Sequence, residues 1–216
     1  KNKFRAKNTV YVPGIGIDLE KFNKTNSGNI RSELGIKDED ILLLSVGELN
    51  KNKNHESVIR ALGKMHRDNI FPHNLYYIVV GKGERKKELE SIINEIGLNE
   101  HIKLLGFREN ILDYYSAADI FVFPSFREGL SVSMMEAMGC GLPVICSKIR
   151  GNTDLIDSFG GVLFNPSNIS SIYKAIKKVL RIERKRNDMG AYNRQKIKGF
   201  DIKIIQNKMS KLYSQS

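Results

Sequence analysis

Apolar runs recur along the chain at intervals: "TVYVPG" (9–14), "ILLLSVG" (41–47), "LYYIVVG" (75–81), "HIKLLG" (101–106), "DIFVFPS" (119–125), "PVICS" (143–147) and "GVLFN" (161–165). Continuous rather than alternating apolar runs are what strands show when both faces of their sheet are covered. Between most of them the apolar positions switch to helical spacing. Val58, Ile59, Leu62 and Met65 share a face after "NKNKNHES", and Leu89, Ile92, Ile93 and Ile96 share one after "GKGER". Strands alternating with helices predict crossover units, hence an α/β fold: a mostly parallel, Rossmann-like sheet with helices on both faces. The last third reads as a helical tail (168–216), with helices over 168–183, 188–198 and 201–214. In the final one Ile202, Ile205, Met209 and Leu212 form an apolar stripe. With no repeat or low-complexity linker, 1–216 reads as a single domain, residues 1–8 being a linker.

Nearly every predicted strand closes on a small or turn-forming residue: Gly47, Gly81, Gly106, Ser125, Ser147 and Asn165. In open parallel sheets ligands bind beyond the carboxyl ends of the strands, so these loops are the candidate site. Such residues end strands in any fold of this class, and alone they do not name a ligand.

Composition narrows the setting. The 216 residues are 41% hydrophobic and 27% charged, which suits one globular domain with a real core. No apolar run approaches the roughly 20 residues of a membrane span. The first residue is Lys1 rather than Met, so the chain is expected to be a piece of something longer. Two cysteines, Cys140 and Cys146, fit a reduced, cytoplasmic setting without a disulfide framework. The net charge of +11 is unevenly placed. Residues 1–7 carry +4 and residues 174–198 carry +8, leaving the rest of the chain at −1. A basic tip and a basic late helix suit solvated faces or peripheral contact with an anionic membrane at the inner face of the cytoplasmic membrane. Nucleic acid is not expected as a partner, because Tyr173 and Tyr192 stand too far apart to interleave a stacking platform with the basic residues.

The stretch "PSFREGLSVSMMEAMGCGLPVI" (124–145) places Glu128 and Glu136 in an otherwise apolar run. An unpaired buried carboxylate is costly, so both should have a purpose. A helix is predicted from Leu130 to Gly139, with Glu136 two turns in. Eight helical residues span roughly 12 Å. That is more than the roughly 5–9.5 Å separating paired carboxylates that act on one glycosidic bond. The pair suits a long ligand held at both ends. Between them, Gly129 lets a ligand approach the backbone, and the helix start offers free N–H groups and a positive dipole end to an anion. The implied ligand has polar ends and an anionic middle.

Other nucleotide signatures fail. "GIGIDL" (14–19) and "GKGERK" (81–86) each lack the third glycine of a dinucleotide fingerprint, and neither Gly63-Lys64 nor Gly81-Lys82 is followed by Ser or Thr. His55, His66, His73 and His101 lack metal-ligand spacing. No metal site and no cofactor are expected. Ser131 and Ser133 have no nucleophile-elbow context.

At this point the sequence resembles the carboxy-terminal, sugar-donor half of group 1 (family four) retaining glycosyltransferases of the GT-B fold, in the branch that builds bacterial surface polysaccharides. The resemblance runs over 9–214. It is carried by "VPGIGID" (12–18), "SVGELNKNKNH" (45–55), "IVVGKGE" (78–84), "IKLLGF" (102–107), "YYSAADIFVFPS" (114–125), the 124–145 stretch and "GVLFNP" (161–166). It implies a nucleotide-sugar donor as substrate, a UDP-sugar favoured, metal-independent chemistry, and an acceptor-binding amino-terminal domain absent from this chain, so that this chain alone is inactive. The acceptor would be a saccharide or a lipid-linked saccharide.

The resemblance also implies roles. Glu128 and Lys53 would be catalytic, Glu128 bonding the sugar hydroxyls and Lys53 neutralising the diphosphate as it leaves. Glu136 would accept from both ribose hydroxyls, and Gly129, Leu130 and Ser131 would offer main-chain N–H groups to the diphosphate. Phe107 and Arg108 would flank the base, with Gly47, Glu48 and Gly81 completing the donor-binding loops. Glu48 stands where many members carry an arginine, so it should turn away, pair with Lys51 or Lys53, or face the acceptor. A nucleotide-sugar 2-epimerase and a non-catalytic nucleotide-sugar-binding module are the alternatives.

Overall fold

The structure, a computed structural model, describes residues 12–23 and 29–214. Its centre is a parallel sheet of six strands: β1 (Ile41–Val46), β2 (Leu75–Val80), β3 (Ile102–Gly106), β4 (Ile120–Phe123), β5 (Val144–Ser147) and β6 (Gly161–Phe164). They lie in the order β3-β2-β1-β4-β5-β6. All five neighbouring pairs are parallel. The order reverses between β1 and β4, and this switch point opens a crevice at the carboxyl edge.

Alternate residues of each strand feed two cores, one on each side of the sheet. On one side Leu42, Leu44, Phe121 and Phe123 pack with α1 (Ile30–Leu34), α4 (Ile111–Ala117), α5 (Val132–Gly139) and α6 (Asn152–Leu155). On the other, Leu43, Tyr77, Val79 and Val122 meet α2 (His55–Arg67), α3 (Lys86–Glu95) and α7 (Ile169–Arg181). Burial on both faces explains why the strands read as unbroken apolar runs. The predicted helical faces are the packed ones: Val58, Ile59, Leu62 and Met65 of α2, and Leu89, Ile92 and Ile93 of α3, are buried.

Three expectations shift. Of the predicted first strand, 9–11 lie outside the described residues and 12–14 are irregular; Ile17 instead bridges to Asp201. The helix predicted from Leu130 starts at Val132, because Ser131 serves as its N-cap, its Oγ accepting from the Met134 N–H at 3.3 Å. In the tail, α8 spans Glu183–Ile197 rather than starting at 188, and its acidic first residue suits a helix start. After a short turn, α9 (Ile202–Tyr213) completes the tail. Of its stripe only Ile205 is buried, while Ile202 is exposed.

Candidate functional site

A cleft of about 750 Å³ opens at the carboxyl ends of β1, β2 and β3. Six predicted site residues line it: Gly47 and Glu48 after β1, Gly81 after β2, Phe107 and Arg108 after β3, and Glu136 from α5. Lys82, Glu84 and Glu109 also line it and were not foreseen. These charged residues sit on turns, where charge looks like solvated surface.

The walls are continuations of the sheet. Past the strand ends, the Gly47 N–H donates to the Val80 carbonyl at 3.0 Å and the Leu49 N–H to that of Lys82 at 2.8 Å. The Arg85 N–H then donates to the Leu49 carbonyl at 3.0 Å. The two loops therefore form one unit. Gly81 makes it work: a Cβ there would lie 1.9 Å from the Gly47 oxygen, so no larger residue fits without moving the backbone. Arg85, nearly buried, ties the unit to α2 by a 2.6 Å bond to Glu56 and also pairs with Glu88.

A second group adjoins the cleft. Three consecutive residues after β1 hold the 124–128 loop. Asn52 accepts from the Phe126 N–H at 2.8 Å and donates to the Arg127 carbonyl at 3.0 Å. The Lys53 Nζ lies 2.8 Å from Glu128 Oε1, and the Asn54 amide donates to the Pro124 and Pro166 carbonyls, both at 3.1 Å. From the other side Gly151, at φ 88°, lies so close that a Cβ would meet the Gly129 oxygen at 2.2 Å. The Glu128–Gly129 segment is thus clamped between two loops. Gly129 itself has open space beside its Cα, with nothing within 4 Å of a Cβ built there.

Glu128, Lys53, Gly129, Leu130 and Ser131 do not line the cleft; they stand at its flank, joined to it where the Lys53 stem runs against Gly47. A Cβ at Gly47 would be 3.4 Å from Lys53 Cδ. The Lys53 ammonium also lies 5.1 Å from the Phe123 ring centroid. Because 128–131 is not helical, the distance worked for a continuous helix does not apply, and Glu136 sits in the second turn of α5 rather than two turns in. The two carboxylates do engage different partners. At the start of α5, Val132 and Ser133 carry main-chain N–H groups with no intrahelical acceptor.

Glu136 is half-buried and accepts from the Tyr115 hydroxyl at 2.8 Å. Burial raises its pKa, against the opposing pull of the Tyr115 hydrogen bond and of Lys21. Tyr115, fully buried, is a site residue that reads in the sequence as plain core. Glu48 pairs with neither Lys51 nor Lys53: its carboxylate accepts from the Asn50 amide at 2.7 Å. Lys53 has taken Glu128 instead. The Arg108 side chain turns back, donating to the Tyr114 hydroxyl and to the Phe107 carbonyl, both at 3.1 Å. Beneath the Gly47–Glu48 turn lies His55, also unforeseen as a site residue. Burial, with Lys53 and Arg85 nearby, lowers its pKa to about 4, so the ring is neutral at pH 7.

Among the described residues no group of three or more His, Cys, Asp or Glu side chains is arranged to hold a metal ion, and no helix is long and apolar enough to cross a membrane.

Known proteins resemble this chain in sequence and in fold. An Escherichia coli UDP-Gal:alpha-D-GlcNAc-diphosphoundecaprenol alpha-1,3-galactosyltransferase is 33% identical over 203 residues, covering 92% of this chain and 52% of that protein. A Campylobacter jejuni N-acetylgalactosaminyltransferase, named for a diacetylbacillosaminyl-diphospho-undecaprenol substrate, is 31% identical over 91% of this chain and 51% of its own length. The chain thus spans about half the length of these relatives. Among solved structures, Anabaena HepE in complex with UDP superposes with a TM-score of 0.84 at 23% identity, over 93% of this chain and 56% of that one. Sucrose-phosphate synthase from Thermosynechococcus elongatus gives 0.83 at 25% identity, over 98% and 53%. The fold is the Rossmann-like layer of GT-B glycosyltransferases. The family model for "Glycosyl transferases group 1" matches residues 26–196, and the chain belongs to that family.

Proposed function

We propose that this chain is the single donor-binding domain of a retaining glycosyltransferase that moves a sugar from a nucleotide diphosphate, UDP favoured, to a saccharide or lipid-linked acceptor in bacterial surface-polysaccharide synthesis. The observation that carries this reading is the position of Lys53. Its cationic side chain runs along Gly47 at the cleft wall and ends on Glu128, linking a nucleoside-sized cleft to a clamped carboxylate.

In this reading the base enters beside Phe107 and Arg108, and the ribose hydroxyls donate to Glu136, which Tyr115 holds in place. The diphosphate lies against Lys53 and the main-chain N–H groups of Gly129, Leu130 and Ser131, next to the start of α5. The sugar hydroxyls meet Glu128. Charge on the diphosphate grows as the bond to the sugar breaks, and Lys53 stabilises it in surroundings drier than water. Glu48, held by Asn50, keeps its carboxylate off the phosphates. A UDP-sugar is favoured because the galactosyltransferase relative is named for UDP-Gal and HepE binds UDP.

The lipid-linked acceptor is inferred from the diphosphoundecaprenol in that relative's name. The basic residues of α7 and α8 suit peripheral contact with an anionic membrane from the cytoplasmic side. Since relatives are about twice as long, the acceptor site is assigned to sequence beyond this chain, and this chain alone should bind donor without transferring it.

Calorimetric titration tests this. Free UDP and a UDP-sugar should both bind, and Glu136→Ala should weaken both. Glu128→Ala should weaken only the sugar-bearing ligand. Equal losses for both ligands in both variants would reverse the assignment of the two ends, and turnover by this chain alone would refute the division of labour.

A further inference from the structure

We propose that His55 is a positioning residue of the donor cleft, its Nε2 being the contact on which the Gly47–Glu48 main chain is set when a nucleotide diphosphate enters. The proposal rests on the cleft being the nucleotide-diphosphate site.

His55 is the first residue of α2, a position where side chains normally face water, yet it is only 2% exposed. Lys53, Asn54 and His55 are consecutive, so the segment that grips the 124–128 loop also drives the imidazole beneath the cleft wall. Its two nitrogens face different structures. Nδ1 lies 3.5 Å from the Tyr77 hydroxyl, which lies 2.9 Å from Ser45 Oγ, which donates to the Val122 carbonyl at 2.5 Å. The other side of the ring faces the carbonyls of Glu48 and Gly47, close enough to favour a proton there, but Nε2, fully buried, makes no bond of regular hydrogen-bond geometry.

Proton counting sharpens this. Ser45 has one proton and gives it to Val122, so Tyr77 must donate to Ser45. The Tyr77 oxygen is then left as an acceptor towards Nδ1. A neutral imidazole therefore has one proton and acceptors on both sides, the Tyr77 oxygen and the Glu48 and Gly47 carbonyls. Taking a second proton would satisfy both, but burial beside Lys53 and Arg85 opposes it. The ring can hold the sheet or the loop, not both. The Nδ1 contact with Tyr77 is long at 3.5 Å, so a small shift of the Gly47–Glu48 turn that closes a bond from a protonated Nε2 trades a weak hydrogen bond for a stronger one. Lys53 lies along that turn, so a phosphate that draws Lys53 from Glu128 acts on the same backbone. The Gly47 N–H is held by Val80 and the Leu49 N–H by Lys82, which confines the movement to the peptide groups around Glu48 between them.

The test separates the two nitrogens. A glutamine amide reaches the Nε2 position and an asparagine amide only the Nδ1 position. His55→Gln and His55→Asn are made, and UDP is titrated into each and into the native chain, with urea unfolding as the measure of stability. Positioning through Nε2 predicts UDP affinity within about twofold of native for His55→Gln and a loss of about tenfold for His55→Asn, the worth of one hydrogen bond. Both variants lose the buried ring, so stability should fall in both. Equal affinities, or affinities that follow stability alone, would overturn the proposal.

A second measurement needs no variant. In the native chain, the nitrogen NMR signals of the His55 ring should move on UDP addition and saturate with binding. Those of His66, His73 and His101, on elements away from the cleft, should stay still. UDP binding with silent His55 signals would overturn this proposal and leave the cleft assignment standing. Failure of UDP and of every other nucleoside diphosphate to bind would remove both.

Discussion

The Lys53–Glu128 pair invites a quantitative test, because it joins the two residues assigned to the diphosphate and the sugar. Nζ and Oε1 are 2.8 Å apart, and the side chains are 21% and 14% exposed. At an effective dielectric of about 20, unit charges at that distance attract by about 6 kcal/mol before desolvation. Taking both groups out of water cancels most of this, while fully exposed pairs measure about 0.2–1 kcal/mol. A coupling of about 1–3 kcal/mol is expected between those limits. The perturbation is a double-mutant cycle of Lys53→Met, Glu128→Gln and the double variant, read by urea unfolding without ligand and then with saturating UDP-sugar. Without ligand the coupling should be favourable by that amount. With ligand it should shrink, because the phosphates and sugar hydroxyls replace each partner. A crossed effect on affinity is expected as well. Glu128→Gln releases Lys53, so free UDP should bind about fivefold tighter for each 1 kcal/mol of coupling removed. The UDP-sugar should instead lose its contact with Glu128. A coupling below about 0.3 kcal/mol, together with unchanged UDP affinity in Glu128→Gln, would refute the claim that the pair guards the phosphate position.

Other measurements probe the rest of the site. Glu136→Ala should cost UDP roughly 1.5–3 kcal/mol of binding, about 10- to 150-fold in affinity by calorimetry, and Tyr115→Phe less. Because burial raises the Glu136 pKa, UDP affinity should fall as pH drops through that raised value, and Glu136→Gln should flatten the profile. His55 has its pKa lowered from 6.5 to about 4, so below pH 6.5 the unfolded chain takes up a proton that the folded chain refuses. Urea-measured stability should therefore decline by about 1.4 kcal/mol per pH unit between pH 6.5 and 4, roughly 3 kcal/mol in all, a slope that His55→Gln should remove. Gly81→Ala must displace the Gly47 carbonyl and should cost about 2 kcal/mol or more in unfolding, with loss of UDP binding. Amides of α9, whose one buried residue is Ile205, should exchange with solvent faster than those of β1.

The fold was readable because its signals are local and repeated. The strands from β1 to β6 are largely apolar runs, interrupted by Lys103 in edge strand β3, and α2 and α3 present their predicted faces to the core. The misses fall where tertiary contacts decide. Residues 12–14 look like a strand end but find no sheet edge, because Ile17 pairs with Asp201 at the far end of the chain. Leu130 stands at helical spacing to Met134 and Ala137, yet the helix starts later because Ser131 is the residue able to cap it. The expected break in the basic tail exists, but it falls at Ile182 between α7 and α8 rather than over 184–187, and charge and periodicity do not mark that place.

The site divides differently. The spacing singles out Glu128 and Glu136 and the resemblance implies the rest; of these residues Gly47, Glu48, Gly81, Phe107, Arg108 and Glu136 meet in one cleft. What the chain could not reveal is who holds whom. Lys53 and Glu128 lie 75 positions apart, and only the crossing from β1 to β4 at the switch point brings them together. Glu48 is expected to turn away, pair with Lys51 or Lys53, or face the acceptor; Asn50, two residues on, holds it from within the same turn at little cost in chain closure. Tyr115 carries the hydroxyl that holds Glu136, and His55 lies buried beneath the Gly47–Glu48 turn, yet in the sequence they fall at helical core spacing or at a helix start. A buried polar residue gives no periodic signal of its own, since its position obeys the apolar pattern and its chemistry is set by a partner elsewhere. The supporting shell of a site is therefore the last part to be legible, and here it is the part on which the loops depend.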